Sequence, residues 1–115
     1  FGSHAIIGPG PGAGWVPGPG PNGLAQTPPM GWMSWQVFRC EVDCRSQPAA
    51  CVSESLYRQA ADRLAADGYL ELGYDFVSID DCWQSMGGRD ASGRLVPDPS
   101  RFPSGMKALA DWVHS

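Results

Sequence analysis

Positive charge is scarce in this chain. Only eight Lys and Arg stand against twelve Asp and Glu, for a net charge of −4. They are scattered along the sequence, so no basic surface is on offer to track a phosphate backbone, and nucleic acid is set aside as a partner. Histidine is nearly absent too. His4 and His114 are the only two, the first in an irregular head and the second near the end of a helical pattern, where it reads as a surface residue. The cysteines at 40, 44, 51 and 82 are spaced x3, x6 and x30. That spacing forms no pair of C-x-x-C knuckles and argues against zinc. Their even number suits a disulfide framework in an oxidising compartment, and four cysteines allow three pairings. Long apolar runs are missing as well. No stretch is long enough to span a membrane, and the first residues show no initiator Met, basic leader or signal-peptide core, so the sequence reads as an internal piece of a longer chain.

Glycine and proline are abundant instead. Residues 1–23, FGSHAIIGPGPGAGWVPGPGPNG, are dominated by them without the three-residue period of collagen. Such a segment lacks the apolar content to form a core and is expected to be disordered. The folded portion is expected over 24–115.

Within that portion the pattern is α/β. PPMGWMSWQVF, Pro28 to Phe38, opens with prolines that cannot join a ladder and continues with aromatics suited to a first strand. SESLYRQAADRLAADG predicts a helix with Ser53 as N-cap, Glu54 in the first turn and Gly68 just past the end. Leu56, Ala60, Ala61 and Leu64 share one of its faces. YDFVSI reads as a strand covered on both sides, so strand, helix and strand make a parallel βαβ unit. A long loop is expected from Trp83 to about Pro103, and its Asp90, Asp98 and arginines, like Asp43, are expected to be solvated or locally paired. Met106, Leu109, Ala110 and Val113 mark a last helix that shows no stop signal before Ser115. Met30, Met33 and Met106 are expected to fill core.

FVSIDDCWQ, Phe76 to Gln84, carries the chemistry. Ligands of parallel α/β folds bind at the carboxyl ends of the strands, where Asp80 and Asp81 fall. Alternation puts Phe76, Ser78 and Asp80 on one face and Val77 and Ile79 on the other, so Asp80 is expected to point into the mouth while Asp81 begins the loop. Adjacent carboxylates accept hydroxyl donors and suit a polyol such as a sugar, whose apolar ring face Trp35 is placed to floor. The competing reading makes the Asp pair a turn cap and Trp35 a core residue.

Taken together, LAQTPPMGWMSWQVFRCEVDC, FVSIDDCW and GGRDASGRLVPDPSRFPSGMKALADWVHS resemble the N-terminal part of animal α-galactosidases and α-N-acetylgalactosaminidases, glycoside hydrolase family 27. The P-P-M-G-W, D-D-C-W and R-F-P-x-G elements occur in the same order and spacing, and GGRDASGRL is nearer the N-acetylgalactosaminidase branch. The chain departs at Gln36-Val37, where the family commonly has Glu-Arg.

The resemblance implies the first two βα units of a (β/α)8 TIM barrel, followed in the full-length protein by the rest of the barrel and a β-sandwich. It implies hydrolysis, with retention, of terminal α-linked galactose or N-acetylgalactosamine. A carbohydrate substrate, no metal or organic cofactor, a homodimer and a lysosomal or secreted location go with it. Asp80 and Asp81 would bind the 4- and 6-hydroxyls with Trp35 beside the ring, and the disulfides would be Cys40–Cys82 and Cys44–Cys51. Retaining catalysis needs two carboxyl groups about 5 Å apart flanking the scissile bond. Adjacent residues at one strand end cannot do that, so no residue here is nominated as catalytic. Two other readings remain at this stage: a non-catalytic carbohydrate-binding homologue, and a disulfide-stapled interaction module complete in itself.

Overall fold

The computed structural model describes residues 27–115; the expectation for residues 1–23 falls outside them. The first strand, β1, is Gly31–Met33, shorter than the run to Phe38 read from the sequence. The chain turns at Ser34, whose carbonyl accepts from the Phe38 N–H at 3.0 Å, and Trp35–Phe38 form a short helix, α1. Trp35 therefore opens a helical turn just beyond the strand.

Helix α2, Glu54–Ala66, follows its sequence signals closely. Ser53 is extended and its hydroxyl accepts from the Leu56 N–H at 3.4 Å, satisfying one of the donors that a helix start leaves free. Gly68, one residue past the C-cap Asp67, takes φ +84, the left-handed conformation that ends helices cheaply only at glycine. Leu56 and Tyr57 are buried, and Ala61 and Leu64 pack against the core from the same side.

Strand β2, Phe76–Ser78, runs parallel to β1 in the register Gly31↔Phe76, Trp32↔Val77, Met33↔Ser78. With α2 between them these strands complete the expected βαβ unit. The register also explains Gly31. A Cβ there would overlap the carbonyl carbon and oxygen of Phe76.

The expected loop after Trp83 contains a hairpin, β3 (Gln84–Arg89) and β4 (Leu95–Pro97), paired antiparallel with an irregular register. Its residues lack period-two apolar alternation, so strand signals were hidden. The turn carries the structure instead: Asp90 Oδ1 accepts the N–H groups of Ser92 and Arg94, both at 2.9 Å. Helix α3 then spans Gly105–His114, with His114 exposed.

Val52, Tyr57, Val77, Ile79, Phe102 and Leu109 form the core, with Trp32, Phe38, Trp83, Met106 and Val113 packed on it. Only one face of the two-stranded sheet is sealed by this cluster. Phe76 and Ser78, on the other, are half-buried, so the strand is not covered on both sides among the described residues. Met30 and Met33 are each 43% exposed and do not fill core as expected: Met33 alternates away from the half-buried Trp32, and Met30 precedes the strand.

Candidate functional site

Asp80 and Asp81 follow β2 where the buried alternation of Val77 and Ile79 ends. Asp80 is half-buried on the Phe76 and Ser78 side, and Asp81 is exposed. Each spends one oxygen on the turn. Asp80 Oδ1 accepts the Asp81 N–H at 2.7 Å, and Asp81 Oδ1 accepts the Cys82 N–H at 2.7 Å and the Gln84 side-chain amide at 3.2 Å. The Cys82 N–H, with the Gln84 amide next, holds the Asp81 carboxyl below its ordinary 3.8. Among the described residues neither Oδ2 accepts a hydrogen bond. Capping thus occupies one oxygen of each carboxylate, and among the described residues the other stays open as an acceptor.

Trp35 lies two residues beyond the Met33↔Ser78 pair that ends the parallel register, and Asp80 lies two residues beyond it on the other strand, so both follow the carboxyl ends of their strands. Trp35 is 38% exposed, which sets it apart from the core aromatics. Ser34 beneath it is fully buried, with its hydroxyl 3.0 Å from the Tyr57 hydroxyl. Burial raises the Tyr57 pKa, opposed by the Ser34 bond, and the nearby Asp80 charge raises it further. Tyr57 thus meets Ser34, the residue before Trp35, and lies near Asp80.

Two disulfides complete the frame: Cys40–Cys82 joins the turn after α1 to the turn after Asp81, and Cys44–Cys51 closes the short loop before α2. This is the pairing that the family resemblance implies. Asp81 lies close to Cys40 and Cys82, but both sulfurs are spent on their bond, so the three make no ligand set. Arg39, at φ 46, and Cys82, at φ 66, are the described non-glycine residues with positive φ, and they flank and form this bond.

Arg101 was not foreseen. The loop arginines were expected to be solvated or locally paired, and Arg94 does pair locally with Asp90 at 2.9 Å. Arg101, however, is only 6% exposed. It donates to the carbonyls of Val52 at 2.7 Å, Cys82 at 2.8 Å and Gln84 at 3.3 Å, with the Asp98 carboxylate at 3.8 Å. The only signal in the sequence was its place in the R-F-P element. Glu54 was read as a helix-start residue and is also a buried link, accepting the Ser104 N–H at 3.0 Å and pairing with Arg58 at 2.8 Å. An open groove of about 450 Å³ beside it is lined by Glu54, Ser55, Arg58, Gln59, Pro103 and Ser104; none of the strand-end residues borders it.

The family model for alpha galactosidase A matches residues 27–115. The chain belongs to that family of glycoside hydrolases. It is 62% identical over 94 residues to alpha-N-acetylgalactosaminidase of Gallus gallus, covering 82% of this chain and 23% of that protein. Against alpha-galactosidase A of Homo sapiens it is 47% identical over 94 residues, covering 82% and 22%. Among solved structures, alpha-galactosidase I of Mortierella vinacea superposes with a TM-score of 0.68 at 42% identity, over 83% of this chain and 21% of that one. The chain thus spans under a quarter of the length of these relatives. Its fold is that of the corresponding part of solved α-galactosidases, and its two disulfides fit an oxidising compartment. Among the described residues no helix is long and apolar enough to cross a membrane.

Proposed function

We propose that the full-length protein is a retaining exo-α-glycosidase that removes terminal α-linked N-acetylgalactosamine or galactose. Residues 24–115 would be the opening βα units of its (β/α)8 barrel. The identity gap between the two named relatives, 62% against 47%, favours N-acetylgalactosamine. Asp80 and Asp81 accept the sugar's 4- and 6-hydroxyls through their open oxygens, and Trp35 packs beside the ring. The catalytic carboxyl groups come from later strands. A lysosomal or secreted homodimer without metal or organic cofactor completes the reading.

One observation carries it: the turn Asp80-Asp81-Cys82 is internally bonded, yet among the described residues it leaves one acceptor free on each carboxylate at the strand end where this fold class binds ligands. The test is Asp80→Asn and Asp81→Asn in the full-length protein, with melting and kcat/KM measured together. A charge-assisted hydrogen bond contributes about 1.5 to 3 kcal/mol, so kcat/KM should fall by one to two orders of magnitude in a protein that stays folded. Near wild-type kinetics with only a lowered melting temperature would return the pair to a capping role. A homologue that binds α-linked sugars without releasing product would replace the enzyme with a carbohydrate-binding protein.

A further inference from the structure

A guanidinium taken out of water loses its hydration and persists only where its donors are matched. Arg101 is matched almost wholly by backbone carbonyls, and two of these belong to residues with a second task. Cys82 and Gln84 receive Arg101 through their carbonyls at 2.8 and 3.3 Å, and they donate to Asp81 Oδ1 through the Cys82 N–H and the Gln84 amide at 2.7 and 3.2 Å. The arginine and the carboxylate therefore grip the same two residues through opposite groups. Cys82 also sits at φ 66, a left-handed conformation that a non-glycine residue keeps only when its surroundings impose it. The bond to Cys40 restrains its side chain; Arg101 restrains its carbonyl. A third donation, to Val52 at 2.7 Å, ties this turn to the residue before the N-cap of α2.

We propose that Arg101 is a positioning residue for substrate binding, fixing the Cys82 and Gln84 groups that aim the Asp81 carboxylate at a sugar hydroxyl. This rests on the sugar-binding reading of Asp81. It needs the planar fork of arginine, whose two terminal nitrogens reach three carbonyls on two separate segments, where a lysine ammonium offers a single nitrogen.

The test is Arg101→Lys in the full-length protein, alone and combined with Asp81→Asn, assayed on an aryl α-N-acetylgalactosaminide at a temperature where each variant is folded. Positioning predicts that Arg101→Lys raises KM by about tenfold with kcat within about twofold, the signature of lost binding common to ground and transition states. It also predicts that the KM of the double variant stays within about twofold of that of Asp81→Asn, because the arginine acts through that carboxylate. If Arg101→Lys lowers only the melting temperature, or multiplies its full KM effect onto Asp81→Asn, the proposal is overturned and Arg101 is a structural clamp. If Asp81→Asn itself leaves both kcat/KM and KM unchanged, the sugar-binding reading fails first and carries this one with it; if it lowers kcat/KM with KM unchanged, that reading stands and the positioning role of Arg101 in binding is overturned. Should the lysine variant not fold, Arg101→Gln, which keeps an N–H donor without the charge, is read by the same criteria.

Discussion

Gly31 and Tyr57 hold the strand ends in place by opposite means, one by having no side chain and the other by filling the space beneath them. Adding a Cβ at Gly31 forces β1 away from the Phe76 carbonyl, and overpacking of this kind costs about 1 to 3 kcal/mol. Gly31→Ala in the full-length protein should therefore lower the melting temperature, and an unchanged melting curve would show that the strands adjust freely. Tyr57→Phe removes the bond that the Tyr57 hydroxyl makes with the buried Ser34 hydroxyl. Leaving such a group unsatisfied costs about 1 to 3 kcal/mol, read again by melting. The Asp pair was legible in the sequence because a buried strand that ends in carboxylates breaks its own pattern. Arg101 was not, because what buries it is three carbonyls lying 49, 19 and 17 residues away, and local composition says nothing about contacts at that range.

Elements divide in the same way. Helix α2 was readable almost to the residue, since Ser53, the apolar face and Gly68 are local signals that agree with one another. The β3–β4 hairpin was not, because its strands carry glycine and polar residues and owe their pairing to the Asp90 turn. Between α2 and α3 lies a pH-sensitive contact. Burial raises the Glu54 pKa, but the Ser104 hydrogen bonds and the Arg58 charge outweigh it and hold the carboxyl below its ordinary 4.5. A carboxyl whose folded pKa is lowered contributes fully above the unfolded value and loses that contribution as pH falls through the folded one. The melting gap between wild type and Glu54→Gln should be widest near neutral pH and narrow as the pH drops below about 4.5. A gap independent of pH would mean that the charge of Glu54 plays no part. The disulfides work at this scale too. On a loop-entropy scale Cys40–Cys82 contributes about 4 kcal/mol and Cys44–Cys51 about 2.5 kcal/mol. Cys40→Ser with Cys82→Ser should thus destabilise more than Cys44→Ser with Cys51→Ser, and the reverse order would place the main restraint in the short loop.

Across the whole molecule, the described residues seal one face of a two-stranded sheet and leave Val37, Leu72 and Met86 well exposed. A chain that covers under a quarter of its relatives and leaves this much apolar surface in water is expected to melt without a cooperative transition when expressed as residues 1–115 alone. A sharp calorimetric transition from that piece would contradict the expectation. The measurement that bears most directly on the account is hydrolysis by the full-length protein of two aryl glycosides, α-N-acetylgalactosaminide and α-galactoside, assayed side by side with their β-anomers. The account predicts release from both α-glycosides, a higher kcat/KM for the N-acetylgalactosaminide, and none from the β-anomers. A folded full-length protein that releases nothing from either α-glycoside would contradict it.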